Sequence, residues 1–230
     1  KELSQLKSSF ISVASHQFRT PLAVIQSNAE LLEMLNASGV KQEPEKYAKV
    51  TSRITETISK MTYLMDDVLT LEKLTSGNIF YAPEDIDLVV FCEKLVEDFN
   101  LIQRDDRTLD FVLDGEAYKV QLDANLLTHS LTNLISNAFN CSEGKGNPQL
   151  SIHFKPTEVI LAIKDYGLGL TEEEQLHIFE PFFRVDNVAE INGTGLGLSI
   201  VKEYVESNMG QVSLKSTLGE GSCFEITFKR

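Results

Sequence analysis

Apolar residues in the first third of the chain follow two long helical periods. Along the first period they keep one heptad register: Leu3, Leu6, Phe10, Val13, Val24, Leu31 and Met34. The remaining positions of this stripe are Gln17, Thr20 and Ser27. The second period starts near Pro44 and contains Tyr47, Val50, Ile54, Ile58, Met61, Met65, Val68 and Leu71. Because a helix with such a stripe needs a partner helix to cover it, the pattern predicts a hairpin of two long helices.

A two-helix hairpin buries too little apolar surface on its own. Two copies that form a four-helix bundle are the economical solution, so the pattern predicts a homodimer. The alternative is a hairpin that packs against the rest of its own chain. Within the first helix, Pro21 lacks an N–H and is expected to cause a kink. Gly39 is expected to stop that helix.

The pattern changes at Thr75-Ser-Gly77-Asn78, which predicts a boundary between residues 1–77 and residues 78–230. Predicted helices in the second part are Leu88–Leu101, Asp123–Cys141, with Asp123 as N-cap, and Ser199–Ser207. Predicted strands are Thr108–Leu113, Tyr118–Leu122, Leu150–Phe154, Val159–Lys164, Val212–Ser216 and Cys223–Phe228. This mixture predicts an α/β sandwich in which helices cover one face of a sheet. The expected fold class is therefore α plus α/β.

The net charge of −13 lies entirely in the second part. Residues 1–77 carry nine basic and nine acidic side chains, whereas residues 78–230 carry twelve basic and twenty-five acidic ones. Such an acidic surface argues against nucleic acid as a partner. No apolar stretch reaches the roughly 18 residues that cross a bilayer, so membrane attachment is expected only through segments upstream of this sequence. The three cysteines have no paired spacing, which favours buried thiols in a reducing, cytoplasmic compartment.

Three groups of polar and glycine residues could carry chemistry. His16 lies in the run Phe10–Leu22, one residue away from the apolar stripe. Further on, three side-chain amides share one predicted helix face: Asn133, Asn137 and Asn140. Amide oxygens are neutral ligands that suit a hard cation such as Mg²⁺, although asparagines alone are more often ordinary polar surface.

Two glycine segments follow the asparagines. Asp165-Tyr-Gly167-Leu-Gly169 comes directly after a predicted strand, where its carboxylate could accept a hydrogen bond from an exocyclic amine such as that of adenine. Gly193-Thr-Gly195-Leu-Gly197-Leu198 opens a predicted helix, whose first N–H groups form an anion site. A dinucleotide-binding interpretation is disfavoured, because the glycine spacing differs and no strand immediately precedes the segment.

In their order and distances, these segments resemble the characteristic boxes of sensor histidine kinases of two-component systems. The asparagine and glycine segments, with Ile178–Arg184 between them and Gly219 and Gly221 after them, resemble the ATP site of a superfamily. That superfamily is shared with ninety-kilodalton heat-shock chaperones, type II topoisomerases and mismatch-repair ATPases. Among these classes, only the kinases add a histidine-bearing helical hairpin upstream.

The resemblance implies that ATP phosphorylates His16 and that an aspartate of a response regulator then receives the phosphoryl group. It further implies that Asn137 holds Mg²⁺, that Asp165 reads adenine and that Thr20 positions a water for dephosphorylation of the regulator. The ATP-binding residues that it implies are Asn133, Asn137, Asn140, Asp165, Gly167, Gly169, Arg184, Gly193, Thr194, Gly195, Leu196, Gly197 and Leu198. Gly219 and Gly221 are expected to be structural.

The chain departs from the family pattern at three positions. Gln17 stands where the family commonly has Glu or Asp, and Asn140 and Cys141 stand where it often has Lys and an aromatic residue. Two other functions remain open on the sequence. One is a member of the family that acts mainly as a phosphatase, and the other is a degenerate module that binds ATP or a partner without turnover.

Overall fold

The computed structural model describes residues 2–37, 44–75, 81–103, 106–142, 144–185 and 195–230. The chain divides into two compact units, residues 1–76 and residues 77–230. Among the described residues, none of the helices combines the length and the hydropathy that crossing a bilayer requires.

The first unit is a hairpin of two helices, α1 (Glu2–Ala37) and α2 (Pro44–Thr75). Helix α1 continues through Pro21 as one helix. At the end of the hairpin where α1 ends and α2 begins, the Tyr47 hydroxyl donates to Asn36 Oδ1 at 2.9 Å. Val50, about one turn further along α2, is buried. The predicted pair of long helices is therefore present.

From Phe18 to Asn36, where the side chains of α1 are described, the heptad stripe is not the face that packs on α2. The half-buried positions in this range have spacings of three and four, and they are Phe18, Pro21, Ile25, Asn28, Leu32 and Leu35. The stripe identified in the sequence lies one position away, and its side chains Val24, Leu31 and Met34 are 40%, 42% and 69% exposed. On α2, Ile58, Met65 and Leu69 are also exposed. The hairpin thus has one apolar face inside and a second one outside.

The second unit contains a five-stranded sheet, a two-stranded sheet and four helices within its described residues. Its elements in chain order are β1 (Glu84–Ile86), α3 (Leu88–Ile102), β2 (Asp110–Asp114), β3 (Val120–Leu122), α4 (Ala124–Cys141), β4 (Gln149–Phe154), β5 (Glu158–Lys164), α5 (Glu172–His177), α6 (Gly197–Ser207), β6 (Gly210–Thr217) and β7 (Gly221–Lys229). The larger sheet has the order β2-β4-β5-β7-β6, and only the β2–β4 pair is parallel. Strands β1 and β3 form the small antiparallel sheet.

Successive side chains along the central strands point to opposite faces of the sheet, one towards the core and one away from it. Leu150 and Ile152 of β4, and Leu161 and Ile163 of β5, are fully buried. They join one hydrophobic core with the apolar faces of α3, α4 and α6. Of the intervening residues on the opposite face, His153 and Ile160 are partly exposed, whereas Ser151 and Ala162 are buried. The sheet is covered by helices on one face, as the sequence pattern predicts.

Candidate functional site

Helix α4, which carries the asparagines, is fixed at its start by Asp123. The Asp123 Oδ1 atom accepts hydrogen bonds from the backbone N–H groups of Asn125 and Leu126, at 2.9 and 3.1 Å. Its Oδ2 atom accepts from the backbone N–H of Ala82 at 2.9 Å. The backbone N–H of Asp123 donates to Asn208 Oδ1 at 2.7 Å. The predicted N-cap therefore joins three distant parts of the second unit.

The other end of α4 is held by Arg107. Its Nη1 atom donates to the backbone oxygens of Phe139 and Ser142, both at 2.9 Å. Its guanidinium group also lies over the Phe139 ring, 5.2 Å from the centroid. These contacts satisfy carbonyl groups that a helix end otherwise leaves without a partner. Both ends of the asparagine helix are thus tied to other segments.

Two of the three asparagines are linked to each other. Asn137 Nδ2 donates to Asn133 Oδ1 at 3.0 Å, and both side chains are half-buried. Since Asn137 uses its NH₂ group in this contact, its carbonyl oxygen can serve as an acceptor or a metal ligand. Asn140 lies one turn further along and is exposed.

Asp165 follows β5 and is only 4% exposed. Its Oδ1 atom accepts from the backbone N–H groups of Gly167, at 2.8 Å, and Ser222, at 3.2 Å. Burial raises the pKa of this carboxyl, while the two backbone N–H groups and the Lys145 charge act in the opposite direction. No sequence motif marks Ser222, which lies 57 residues away and meets Asp165 because β5 and β7 pair.

Both glycine segments lie against α4. A Cβ atom placed on Gly167 would be 2.5 Å from the backbone oxygen of Cys141, and one placed on Gly197 would be 2.5 Å from Asn133 Nδ2. At Gly167 the obstructing atom belongs to the backbone, so this close approach requires glycine, whereas at Gly197 it is the end of the Asn133 side chain. The Asp165 turn therefore lies at the C-terminal end of α4, and the start of α6 lies at Asn133. Along the helix these two points are about 12 Å apart, at 1.5 Å per residue.

The start of α6 presents backbone donors. Within the described residues, no side chain caps this helix start. The side chain of Leu196 is buried and that of Leu198 packs against the core, so these two predicted residues can offer only backbone groups to a ligand. First-turn N–H groups of a helix form a site for anions.

The remaining predicted residues fall into three sets. Gly169 has a φ of +65° and lies against the backbone of Thr217, so its role is to close the turn. Arg184 is exposed at the end of the described segment before Gly195. Gly193 and Thr194 lie outside the described residues.

The phenylalanine segment contacts both the core and Gly195. The Phe179 ring meets the Phe224 ring edge-on, with the centroids 6.3 Å apart. The backbone N–H of Phe182 donates to the oxygen of Gly195 at 2.8 Å, and Phe182 has an unusual φ of 67°. This segment is thereby joined to the beginning of α6.

In the first unit, the backbone of His16 and Gln17 belongs to α1, and their side chains lie outside the described part of the structure. Thr20 is exposed one helical turn after His16. It borders a groove of about 510 Å³ along α1, lined by Arg19, Thr20, Ala23, Val24, Ser27 and Asn28.

The donor set near Asn137 fits Mg²⁺ better than a transition metal. Among the described residues, no three His, Cys, Asp or Glu side chains group together as a metal site. An amide oxygen beside a helix start that can attract anions suits Mg²⁺, because this ion keeps several waters and takes anionic oxygens as its other ligands.

Two families match the chain in tandem. Residues 6–77 match the His Kinase A (phospho-acceptor) domain, and residues 122–230 match the histidine kinase-, DNA gyrase B- and HSP90-like ATPase. Drug sensory protein A of Synechocystis sp. is 34% identical over 97% of this chain and 35% of its own length. Sensor histidine kinase WalK of Bacillus subtilis is 30% identical over 99% of this chain and 37% of its own length. The chain therefore spans about a third of the length of these relatives.

Solved structures share the fold. Acinetobacter baumannii histidine kinase AdeS superposes with a TM-score of 0.68 at 24% identity, covering 93% of this chain and 97% of that one. Histidine kinase ThkA, solved in complex with response regulator protein TrrA, gives a TM-score of 0.72 at 20% identity over 99% of this chain and 63% of that one. The α-helical hairpin followed by an α/β sheet unit is the architecture of these proteins.

Proposed function

Because this chain belongs to the sensor histidine kinase family, we propose that residues 78–230 bind ATP and that residues 1–77 dimerise and carry its phosphoryl acceptor, His16. One observation carries the proposal: the two glycine segments lie about 12 Å apart along the asparagine face of α4. A buried carboxylate stands at one end of this face, and the start of α6, which no described side chain caps, stands at the other. Such a pair of opposite features suits a ligand with a base at one end and phosphates at the other.

At the base end, the hydrogen bonds to Asp165 from Gly167 and Ser222 both reach Oδ1. The Oδ2 atom is then the acceptor for the exocyclic amine of adenine. At the phosphate end, Asn133, the start of α6 and Arg184 supply donors, the last as a guanidinium group that suits phosphate oxygens. We assign the phosphate-bound Mg²⁺ to the side-chain oxygen of Asn137.

In the reaction, a nitrogen of neutral His16 attacks the γ-phosphorus of ATP. An N–P bond forms, the P–O bond to ADP breaks, and the ring loses its N–H proton. The side-chain oxygen of Gln17 can accept a hydrogen bond from the ring and so fix its tautomer, but it cannot take the proton at physiological pH. The proton would then go to water or to the nucleotide.

The second half-reaction moves the phosphoryl group from His16 to an aspartate of a response regulator. The charge-balanced residues 1–77 suit an acidic regulator better than the acidic second unit does. For the opposing activity, dephosphorylation of the regulator, we assign Thr20 as the residue that positions the attacking water. Its exposed position one turn after His16 supports this assignment.

The exposed stripe of the hairpin supports a homodimer. Val24, Leu31 and Met34 are too exposed for a stable apolar face in water, and Met65 on α2 adds to them. A second copy would cover this stripe and the groove beside Thr20 in a four-helix bundle. The described cysteines are free thiols, which supports a cytoplasmic location.

The test is incubation of the chain with γ-labelled ATP and Mg²⁺, with and without a receiver domain. We expect acid-labile, base-stable label in the wild type and none in His16→Gln, whereas His153→Gln on the outer sheet face keeps it. Label that survives in His16→Gln would contradict the assignment. ATP binding without label would indicate a degenerate binding module. Loss of label from a phosphorylated receiver domain, without transfer to it, would indicate a phosphatase.

A further inference from the structure

Lys145 contacts the Asp165 turn from a segment that belongs to none of the motifs described above. It lies in the connection between α4 and β4, and its Nζ donates to the backbone oxygen of Gly167 at 3.1 Å. The next residue, Gly146, lies against the Tyr166 ring, since a Cβ atom there would be 3.4 Å from it. The connection therefore covers the turn that holds Asp165.

Several hydrogen bonds fix the connection that carries Lys145. The backbone N–H of Lys145 donates to the oxygen of Ser142 at 3.0 Å, directly after α4. Asn147 Oδ1 accepts from the backbone N–H of Thr108 at 3.3 Å, and its Nδ2 donates to Thr108 Oγ1 at 3.0 Å and to Asp110 Oδ1 at 3.2 Å. Hydrogen bonds of Lys145 and Asn147 thus hold the ammonium group at Gly167.

The ammonium group of Lys145 affects the ionisation of Asp165. Burial raises the pKa of the carboxyl, and the Lys145 charge lowers it. Within the described part of the chain, the other titratable groups that interact electrostatically with Asp165 are the thiols of Cys141 on α4 and Cys223 on β7. Burial raises the pKa of Cys141 to about 11, so this thiol is neutral at physiological pH. Among the described residues, Lys145 is the cation that offsets the burial of Asp165.

We propose that Lys145 is a positioning residue for adenine recognition, which holds the Gly167 carbonyl and keeps the neighbouring Asp165 carboxylate available as an acceptor. This inference rests on the ATP site proposed above. The carboxylate must be ionised to accept from the adenine amine, so ATP binding is lost as the pH falls through the pKa of Asp165. Without the Lys145 charge, that loss begins at a higher pH.

The experiment compares the whole wild-type chain with Lys145→Met and Lys145→Arg by titration calorimetry with Mg²⁺, over a series of pH values. The ligands are ATP and purine riboside 5′-triphosphate, which lacks the exocyclic amine. Lys155→Met is a matched control, because it removes the same charge next to the turn at the far end of β5, about 20 Å from Asp165 at 3.3 Å per residue.

We expect Lys145→Met to weaken ATP binding by about three- to tenfold at neutral pH, in the range of one hydrogen bond to a partly exposed charge. In Lys145→Met, the acid limb of the binding profile, which is the loss of ATP affinity as the pH falls, should move to higher pH. The ratio of the affinities for ATP and for the analogue should also decrease. Lys145→Arg and Lys155→Met should keep the wild-type profile. An equal loss for both nucleotides, or an unmoved acid limb, would overturn the inference. A wild type that binds both nucleotides equally would instead remove the adenine contact on which it rests.

Discussion

Replacing Asp165 by Asn tests the base end of the site with little change in shape. The amide oxygen of Asn can still accept from the backbone N–H groups of Gly167 and Ser222, now 2.8 and 3.2 Å from Oδ1. The NH₂ group then stands where Oδ2 was, and it faces another donor, the adenine amine. Loss of one hydrogen bond to a charged group costs about 1.5–3 kcal/mol, which weakens ATP binding by a factor of about 10–150.

The same substitution should not destabilise the fold. Because burial raises the pKa of Asp165, the native state binds a proton more readily than the unfolded chain does. The free energy of unfolding therefore falls as the pH rises from the pKa of Asp165 in the unfolded chain through its higher pKa in the native state, and it recovers as the pH falls. Asn cannot ionise, so the variant lacks this contribution to the pH dependence of stability. At neutral pH we expect the melting temperature of Asp165→Asn to equal or exceed that of the wild type.

Calorimetric titration with ATP and Mg²⁺ measures the first effect, and thermal unfolding between acid and neutral pH measures the second. Asp114→Asn is the matched control, since that carboxylate is 75% exposed on β2 and should change neither quantity. Unchanged ATP affinity in Asp165→Asn, with an unchanged oligomeric state, would refute the adenine-reading role. A clearly lowered melting temperature would show that the carboxylate is needed for the turn itself.

Three further substitutions test other parts of the molecule. Gln17→Glu supplies a group that can accept the His16 proton, and we expect a faster initial autophosphorylation rate at saturating ATP, by up to about 10²-fold. An unchanged or lower rate, at an unchanged oligomeric state, would show that the amide does not slow the reaction. Asn137→Ala removes the proposed metal ligand and should lower Mg²⁺-dependent ATP turnover at least about tenfold; retained turnover would contradict the assignment. Met209 is 77% exposed with a φ of 57°, so Met209→Gly should raise the free energy of unfolding in urea by about 1 kcal/mol, whereas Met209→Ala should not.

The sequence predicted elements whose signals are local. Asp123 is followed by an amphipathic run, and α4 begins directly after it with Asp123 as its side-chain cap. Two short elements were missed for local reasons as well. Strand β1 has three residues, and α5 has six residues that begin with three glutamates, so neither contains a full apolar period.

Features that depend on distant pairing could not be predicted. The contacts of Asp165 with Ser222 and of Gly167 with Lys145 join residues 57 and 22 positions apart. Each arises from strand register and from the path of a connection, which no short pattern records. The heptad stripe of α1 shows the same limit, because periodicity identifies an apolar face without saying which of two helices will cover it.

The sheet order determines how changes in length between β5 and β6 affect the fold. The chain leaves the sheet after Lys164 and returns as β6 at Gly210, and Asp165 at the exit is hydrogen-bonded to Ser222 at the start of β7. The residues from Asp165 to Gly210 therefore form one long connection between β5 and β6, and both of these strands pair with β7. The entropy of closing a loop grows slowly, by about 0.6 kcal/mol for each doubling of its length. Because α6 packs into the core, insertions or deletions in this stretch outside α6 can accordingly reshape the proposed phosphate end while the register of all five strands is kept.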